Sequence, residues 1–148
     1  MHLSGEGWVK AWRANRQYDL RVLGTSALIA FVATTQPELA KTFYRDILGL
    51  RLVSDEEFAL VFDASGTMLR VAKVDELRPH SRTVIGWEVD DIESTIRALV
   101  SRGVRFERYE GLEQDDLAIW STGGGKIAWF KDPDGNVLSL TQFGSGES

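Results

Sequence analysis

The sequence predicts an α+β fold in which one domain contains two βαβββ modules. The predicted order of a strand, a helix and three strands occurs twice along the 148 residues. Each predicted helix begins at a capping residue and ends at a glycine, and a tight turn, Asp132-Pro-Asp-Gly-Asn136, joins two apolar strands near the end of the chain. The repeat of about 55–70 residues is too long for a solenoid unit and indicates duplication within one domain.

The first module is predicted at residues 25–78 and begins with the apolar strand Leu28–Thr34. Thr35-Gln36-Pro37 predicts a helix start, because a hydroxyl can cap the helix and proline is tolerated in its first turn. Apolar residues then recur at helical spacing from Leu39 to Leu48, and Gly49 predicts the helix end. A turn at residues 64–66 separates the last two of three predicted strands, Arg51–Val53, Phe58–Asp63 and Thr67–Val74.

The second module is predicted at residues 82–143 and repeats this order, beginning with the strand Val84–Val89. Asp91 predicts a helix cap, apolar residues from Ile92 to Leu99 form one helix face, and Gly103 predicts the end. The strands predicted after this helix include one more than in the first module: Val104–Tyr109, Leu117–Ser121, Lys126–Lys131 and Val137–Phe143.

Two phrases resemble the vicinal oxygen chelate superfamily, which includes the glyoxalases, bleomycin-resistance proteins and extradiol dioxygenases. They are Phe43-Tyr44-x-x-x-Leu48-Gly49-Leu50 and Asp132-Pro-Asp-Gly-Asn136, and the resemblance spans roughly Ala27–Phe143. It implies that the two modules form a cup-shaped mixed sheet around a ligand pocket, with helices on the outer face. Residues 25–148 would then be a single glyoxalase-like domain, and residues 1–24 an N-terminal extension.

Composition excludes several classes of function. The chain has 43% hydrophobic and 26% charged residues, as a globular domain does, and no apolar run long enough to span a membrane. A net charge of −5 disfavours nucleic acid as a partner. The N-terminal extension has no apolar segment typical of a secretory signal, and the chain has no cysteine. We therefore expect a cytoplasmic protein.

The resemblance also implies where a metal would bind. In the family's metalloenzymes four ligands, normally two His and two Glu, occupy equivalent strand positions, which fall here on Ile29, Arg70, Val84 and Ser139. Alkyl and guanidinium groups cannot coordinate a divalent metal, and serine is a poor neutral ligand. The two histidines, His2 and His80, lie in the N-terminal extension and the linker between modules. We therefore expect neither a metal nor another cofactor.

Strand alternation identifies the side chains that would line the cup. Glu88 shares the parity of Val84 and is the carboxylate predicted to point inward, which makes it the candidate acid or base. Arg70 would either form an ion pair, with Glu88 as one possible partner, or anchor an anionic ligand. Trp120 and Trp129 could stack on a ligand, although a core position is favoured for each. The candidate ligand-binding residues are Phe31, Met68, Arg70, Glu88, Trp120, Ser139 and Thr141.

Three functions are compatible with this pattern. The leading hypothesis is a family member that binds a small organic molecule in the cup without a metal. One rival is an enzyme, either a lyase or isomerase using Glu88 and Arg70, or a dioxygenase with an altered metal site. Another is an interaction module whose cup is filled by its own side chains. Fold alone does not decide among them.

We also expect a homodimer, because exposed sheet edges favour pairing and symmetric dimers are the commonest closed assembly. Trp8, Trp12 and Tyr18 in the N-terminal extension are of the kind enriched at interfaces. The alternative is that this extension folds back over its own sheet.

Overall fold

The computed structural model describes residues 22–144, and within them it shows two four-stranded sheets and two α-helices. This confirms the predicted fold class. The proposals for Trp8, Trp12 and Tyr18 concern residues outside the described range.

The first module forms a sheet in the order β1-β4-β3-β2. Strand β1 pairs in parallel with β4, while β4–β3 and β3–β2 are antiparallel. The first helix passes directly into a π-helical turn. In chain order the elements are β1 Ile29–Thr34, α1 Pro37–Thr42, the π-helical turn Phe43–Ile47, β2 Arg51–Asp55, β3 Ala59–Ala64 and β4 Thr67–Lys73.

The second module repeats this connectivity in a sheet of order β5-β8-β7-β6. Strand β5 is parallel to β8, and the other two pairs are antiparallel. The agreement between the two sheets confirms the duplication inferred from the sequence. The elements are β5 Thr83–Glu88, α2 Ile92–Ser101, β6 Trp120–Thr122, β7 Gly125–Lys131 and β8 Val137–Phe143.

The strand predicted at Val104–Tyr109 is wrong. Its only ladder contact among the described residues is an isolated bridge between Phe106 and Phe130. The Gln114 side chain takes the place of a partner strand: its amide donates to the carbonyls of Glu107 and Ala118. The Arg108 guanidinium also donates to the carbonyls of Asp115 and Asp116. The segment is therefore an irregular loop held by side-chain hydrogen bonds, and both modules have the same number of strands.

The two helix starts also differ in how far they follow the prediction. Asp91 caps α2 as expected, accepting a hydrogen bond from the backbone N–H of Ser94 at 3.2 Å. Thr35 does not cap α1, because its hydroxyl donates instead to the carboxylate of Asp134, 2.7 Å away. The Thr34 hydroxyl accepts from the N–H of Gln36.

The two modules share one core. Buried side chains of both sheets and both helices belong to a single apolar cluster. Rings from the π-helical turn join its halves, since Phe43 lies 6.4 Å from Phe130 of β7 and Tyr44 lies 5.8 Å from Phe62 of β3, measured between centroids. Neither module buries its sheet alone.

The turn between β7 and β8 connects the second module to the first through hydrogen bonds. The buried carboxylate of Asp132 accepts from the Tyr44 hydroxyl at 2.7 Å and from the Asn136 amide at 2.8 Å. The same amide donates to the carbonyl of Ala33 on β1. Asp134 accepts from the Thr34 hydroxyl and from the Thr35 N–H. This turn therefore joins the modules as well as closing a hairpin.

Candidate functional site

Each sheet has one face in the shared core and, because strand side chains alternate, a second face directed away from it. We call this second face the open face. On the first sheet it carries Ile29 and Phe31 of β1, paired in register with Met68 and Arg70 of β4. Phe31 is 61% exposed, so the apolar side chains predicted for the cup lie at the surface of the described chain.

The open face of the second sheet holds the remaining predicted residues. One cross-strand row consists of Glu88, Thr141, Ile127 and Trp120, one residue from each strand. The neighbouring row contains Gly86, Ser139 and Trp129. The sheet therefore brings four predicted residues onto one surface: Glu88, Trp120, Ser139 and Thr141.

Three aromatic side chains lie side by side at this surface, and we call Tyr109, Trp120 and Trp129 the aromatic shelf. The Trp120 and Trp129 rings are 6.2 Å apart with a 30° interplanar angle, and Tyr109 meets Trp129 edge to face at 5.5 Å. All three are partly exposed. The core positions favoured for the two tryptophans are wrong. Both rings stay partly exposed, and Trp129 alternates with the buried Ala128 and Phe130 of its strand.

The shelf is held in place by a hydrogen bond across the sheet. The indole Nε1–H of Trp129 donates to the Thr83 hydroxyl of β5 at 3.1 Å, so the ring extends over the strand between them. A cavity of about 220 Å³ lies beside it, with Tyr109, Trp129, Thr83 and Val137 among its lining residues. Burial, and then the nearby Glu107 carboxylate, raise the pKa of Tyr109, which keeps the phenol neutral at physiological pH.

Arg70 and Glu88 do not form the ion pair considered from the sequence. Arg70 instead pairs with Glu56, at 3.3 Å between Nη2 and Oε1. Hydrogen bonds from Ser54 and then Arg70 lower the pKa of Glu56. Glu88 is exposed and has no hydrogen bond or ion pair with any residue in the range 22–144. The two charges therefore lie in different environments on different sheets.

The four metal-ligand positions do not fit a metal. Ile29 and Arg70 lie on the open face of the first sheet and Ser139 on that of the second, while Val84 lies unpaired at a register shift in β5. The only oxygen among these four side chains is a hydroxyl, and the guanidinium is in an ion pair. Within the described range no group of three or more His, Cys, Asp or Glu side chains is placed to hold an ion. His80 is exposed in the linker between modules.

The sequence favoured a core position for Trp129 and did not identify Tyr109 as part of this surface. The position of Trp129 could have been derived, because the turn at residues 132–136 pairs Lys131 with Val137 and hence Trp129 with Ser139. Tyr109 carried no such signal, since it lies in the irregular loop after α2.

The family model described as the glyoxalase/bleomycin resistance protein/dioxygenase superfamily matches residues 27–140. The chain belongs to this superfamily. No curated protein sequence matches it. Within residues 22–144, no helix combines the length and apolar character needed to cross a bilayer.

Solved structures of the superfamily superpose on most of the chain. TnmS3, an antibiotic binding protein from Streptomyces sp. CB03234, is 26% identical with a TM-score of 0.64, over 81% of this chain and 97% of that one. A glyoxalase/bleomycin resistance protein from the same strain is 27% identical with a TM-score of 0.59, over 79% and 100%. A third, a glyoxalase/bleomycin resistance protein/dioxygenase from Alicyclobacillus acidocaldarius, is 18% identical with a TM-score of 0.61, over 82% and 94%, and shows the fold alone.

Proposed function

We propose that this superfamily member binds a flat organic molecule on the aromatic shelf without using a metal. The observation that carries the proposal is the arrangement of Tyr109, Trp120 and Trp129 on a partly exposed sheet face. Large aromatic rings left at a surface offer a stacking platform, and a flat ligand would remove them from water.

Pre-organisation supports this function. The bond between Trp129 and Thr83 fixes one indole before any ligand arrives, so less side-chain freedom is lost on binding. The likeness to an antibiotic binding protein at 26% identity agrees with a sequestering role.

The enzyme alternative has weaker support. Glu88 is exposed, whereas a carboxyl acting as a general acid or base needs a sheltered environment. Arg70 is engaged by Glu56, and the donor set at the ligand positions does not suit a metal. The third alternative, a cup filled by its own side chains, is disfavoured by the exposure of Phe31 and Glu88 in the described chain.

The experiment is calorimetric titration with 2-naphthol, a flat two-ring probe, in buffer containing a chelator. We expect saturable binding that Trp129→Leu or Trp120→Leu weakens about ten-fold, since stacking on one aromatic ring contributes about 1–3 kcal/mol. Phe58→Leu is the matched control, because Phe58 is 73% exposed and lies outside the shelf. Binding that survives both tryptophan substitutions would refute the shelf as the site.

We further propose that the protein is a homodimer. Ile29, Phe31 and Met68 form an exposed apolar patch on the open face of the first sheet. The second sheet of the same chain does not cover this patch, because within residues 22–144 no hydrogen bond, ion pair or ring contact links the open faces of the two sheets. A second copy that covered the patch would remove this apolar surface from water.

A further inference from the structure

Ser139 occupies an unusual position in the second sheet. In register it lies between Gly86 of β5 and Trp129 of β7. It is only 7% exposed, whereas Gly86 is exposed and Trp129 partly exposed. The hydroxyl therefore lies at the floor of a notch with an indole on one side and a bare backbone on the other.

The missing side chain at Gly86 leaves room for the Ser139 side chain, whose oxygen lies over the Gly86 backbone. A Cβ added there would lie 2.6 Å from Ser139 Oγ, closer than real Cβ contacts, and 3.6 Å from the Ser139 carbonyl, an ordinary contact. The φ angle of Gly86 lies outside the left-handed region, so the backbone itself does not require glycine. Glycine is therefore needed at this position to accommodate the Ser139 hydroxyl, which a ligand can reach only over the bare backbone of residue 86.

The Ser139 hydroxyl is available for hydrogen bonding. No residue in the described range bonds to its oxygen, although every fully enclosed side-chain N or O atom there has a partner. The oxygen is therefore reachable from solvent despite the small exposure of the residue. A ligand that covered the notch without bonding to this hydroxyl would leave it unpaired, which costs affinity.

We propose that Ser139 and Gly86 determine the ligand class: an uncharged flat ring system with a hydroxyl, carbonyl or amide on its edge. The rings lie against Trp129, and the edge group enters beside Gly86 to bond with Ser139 Oγ. None of the three residues that form the notch carries a charge. Glu88 in the neighbouring row and Arg82, which lines the cavity beside Trp129, carry opposite charges, so the surroundings favour neither an anion nor a cation. This inference rests on the proposed binding function.

The test compares two probes of nearly equal shape, 2-naphthol and 2-methylnaphthalene, by measuring the ratio of their affinities for each variant. The two probes differ in hydrophobicity, but this difference affects the affinity ratio of every variant equally. It therefore cancels when the ratio of a variant is divided by that of the wild type. Ser139→Ala should lower the ratio about five-fold, since it removes one hydrogen bond. Gly86→Ala should also lower the affinity ratio and should weaken the binding of both probes, because the new methyl group displaces the Ser139 hydroxyl and fills the notch.

The control is Ser121→Ala, which removes an exposed hydroxyl from β6 next to Trp120 but on the opposite face; its ratio should equal that of the wild type. Circular dichroism melting would verify that each variant is folded. If both probes bind but Ser139→Ala leaves the affinity ratio unchanged, the ligand does not bond to Ser139 and this inference is wrong. The proposal that a ligand stacks on the aromatic shelf would then still stand. If neither probe binds the wild-type protein, the proposed binding function itself fails, and this inference with it.

Discussion

At the scale of single residues, Tyr44 shows how one hydroxyl connects two modules. It is fully buried in the π-helical turn and donates to the Asp132 carboxylate. Burial, followed by the charge and hydrogen bond of Asp132, raises the pKa of Tyr44, so the phenol remains a donor at any physiological pH. Removing this donor would leave a buried carboxylate with one partner fewer.

We therefore expect Tyr44→Phe to lower the free energy of unfolding by about 1–3 kcal/mol. Urea unfolding followed by circular dichroism measures this directly. Tyr109→Phe is the control and should stay within about 0.5 kcal/mol of the wild type, because Tyr109 is partly exposed on the shelf. Equal stabilities of the two variants would show that the buried hydrogen bond between Tyr44 and Asp132 does not stabilise the contact between the modules.

Individual residues also show where sequence reasoning succeeds. The turn residues fixed the register of β8, so Ser139 and Thr141 were placed on the correct face. The partner of Arg70 could not be found in this way. Glu56 lies in the connection between β2 and β3, and its approach depends on turn geometry that alternation does not describe.

At the scale of elements, the β7–β8 turn was recognised from its sequence, but its contacts with β1 were not. Local turn chemistry reveals a hairpin, whereas the pairing of Asp134 with Thr34 and Thr35 spans about one hundred residues. The strand predicted at Val104–Tyr109 was wrong for a related reason. The side chains of Gln114 and Arg108 supply bonds that a strand ladder would otherwise supply, and no periodicity in the sequence indicates this.

Asp134 gives this turn a pH dependence. Desolvation acts to raise its pKa, but hydrogen bonds from Thr34 and Thr35 outweigh desolvation and hold the pKa below the usual value. A carboxyl with a lowered folded-state pKa adds stability above its unfolded pKa of about 3.9. That stability is lost as the pH falls through the lower, folded-state pKa.

We expect the urea midpoint of the wild type to exceed that of Asp134→Asn by a constant amount above about pH 5. The difference should shrink as the pH falls below about 4, because protonation then removes the same charge from the wild type. Unfolding curves at several pH values would measure it. A difference that stays constant down to pH 2 would contradict this role of the carboxylate.

At the scale of the whole molecule, the apolar patch on the first sheet predicts association. Phe31→Glu should shift a dimer toward monomer, since it places a charge in the centre of the proposed interface. Val100→Glu is the control, because Val100 is 50% exposed on α2, away from the patch. Light scattering coupled to gel filtration measures the mass of the wild type and of each variant. A wild-type protein that is monomeric at all concentrations would refute the dimer.

The same assembly question applies to the N-terminal extension. A chain beginning at Gly24 should remain dimeric if the patch alone forms the interface, and become monomeric if the extension is required. The sequence could not distinguish these outcomes, because the family pattern begins only near Ala27.

We propose that a flat organic molecule binds on the aromatic shelf without a metal. The most direct test is NMR observation of the tryptophan indole N–H resonances, assigned by Trp→Phe substitutions, during titration with 2-naphthol in chelator-containing buffer. We predict that the signals of Trp120 and Trp129 shift to saturation while that of Trp87, which alternates with the open face on β5, stays in place. A titration that moves Trp87 and leaves Trp120 and Trp129 unchanged, or moves none of the three, would contradict it.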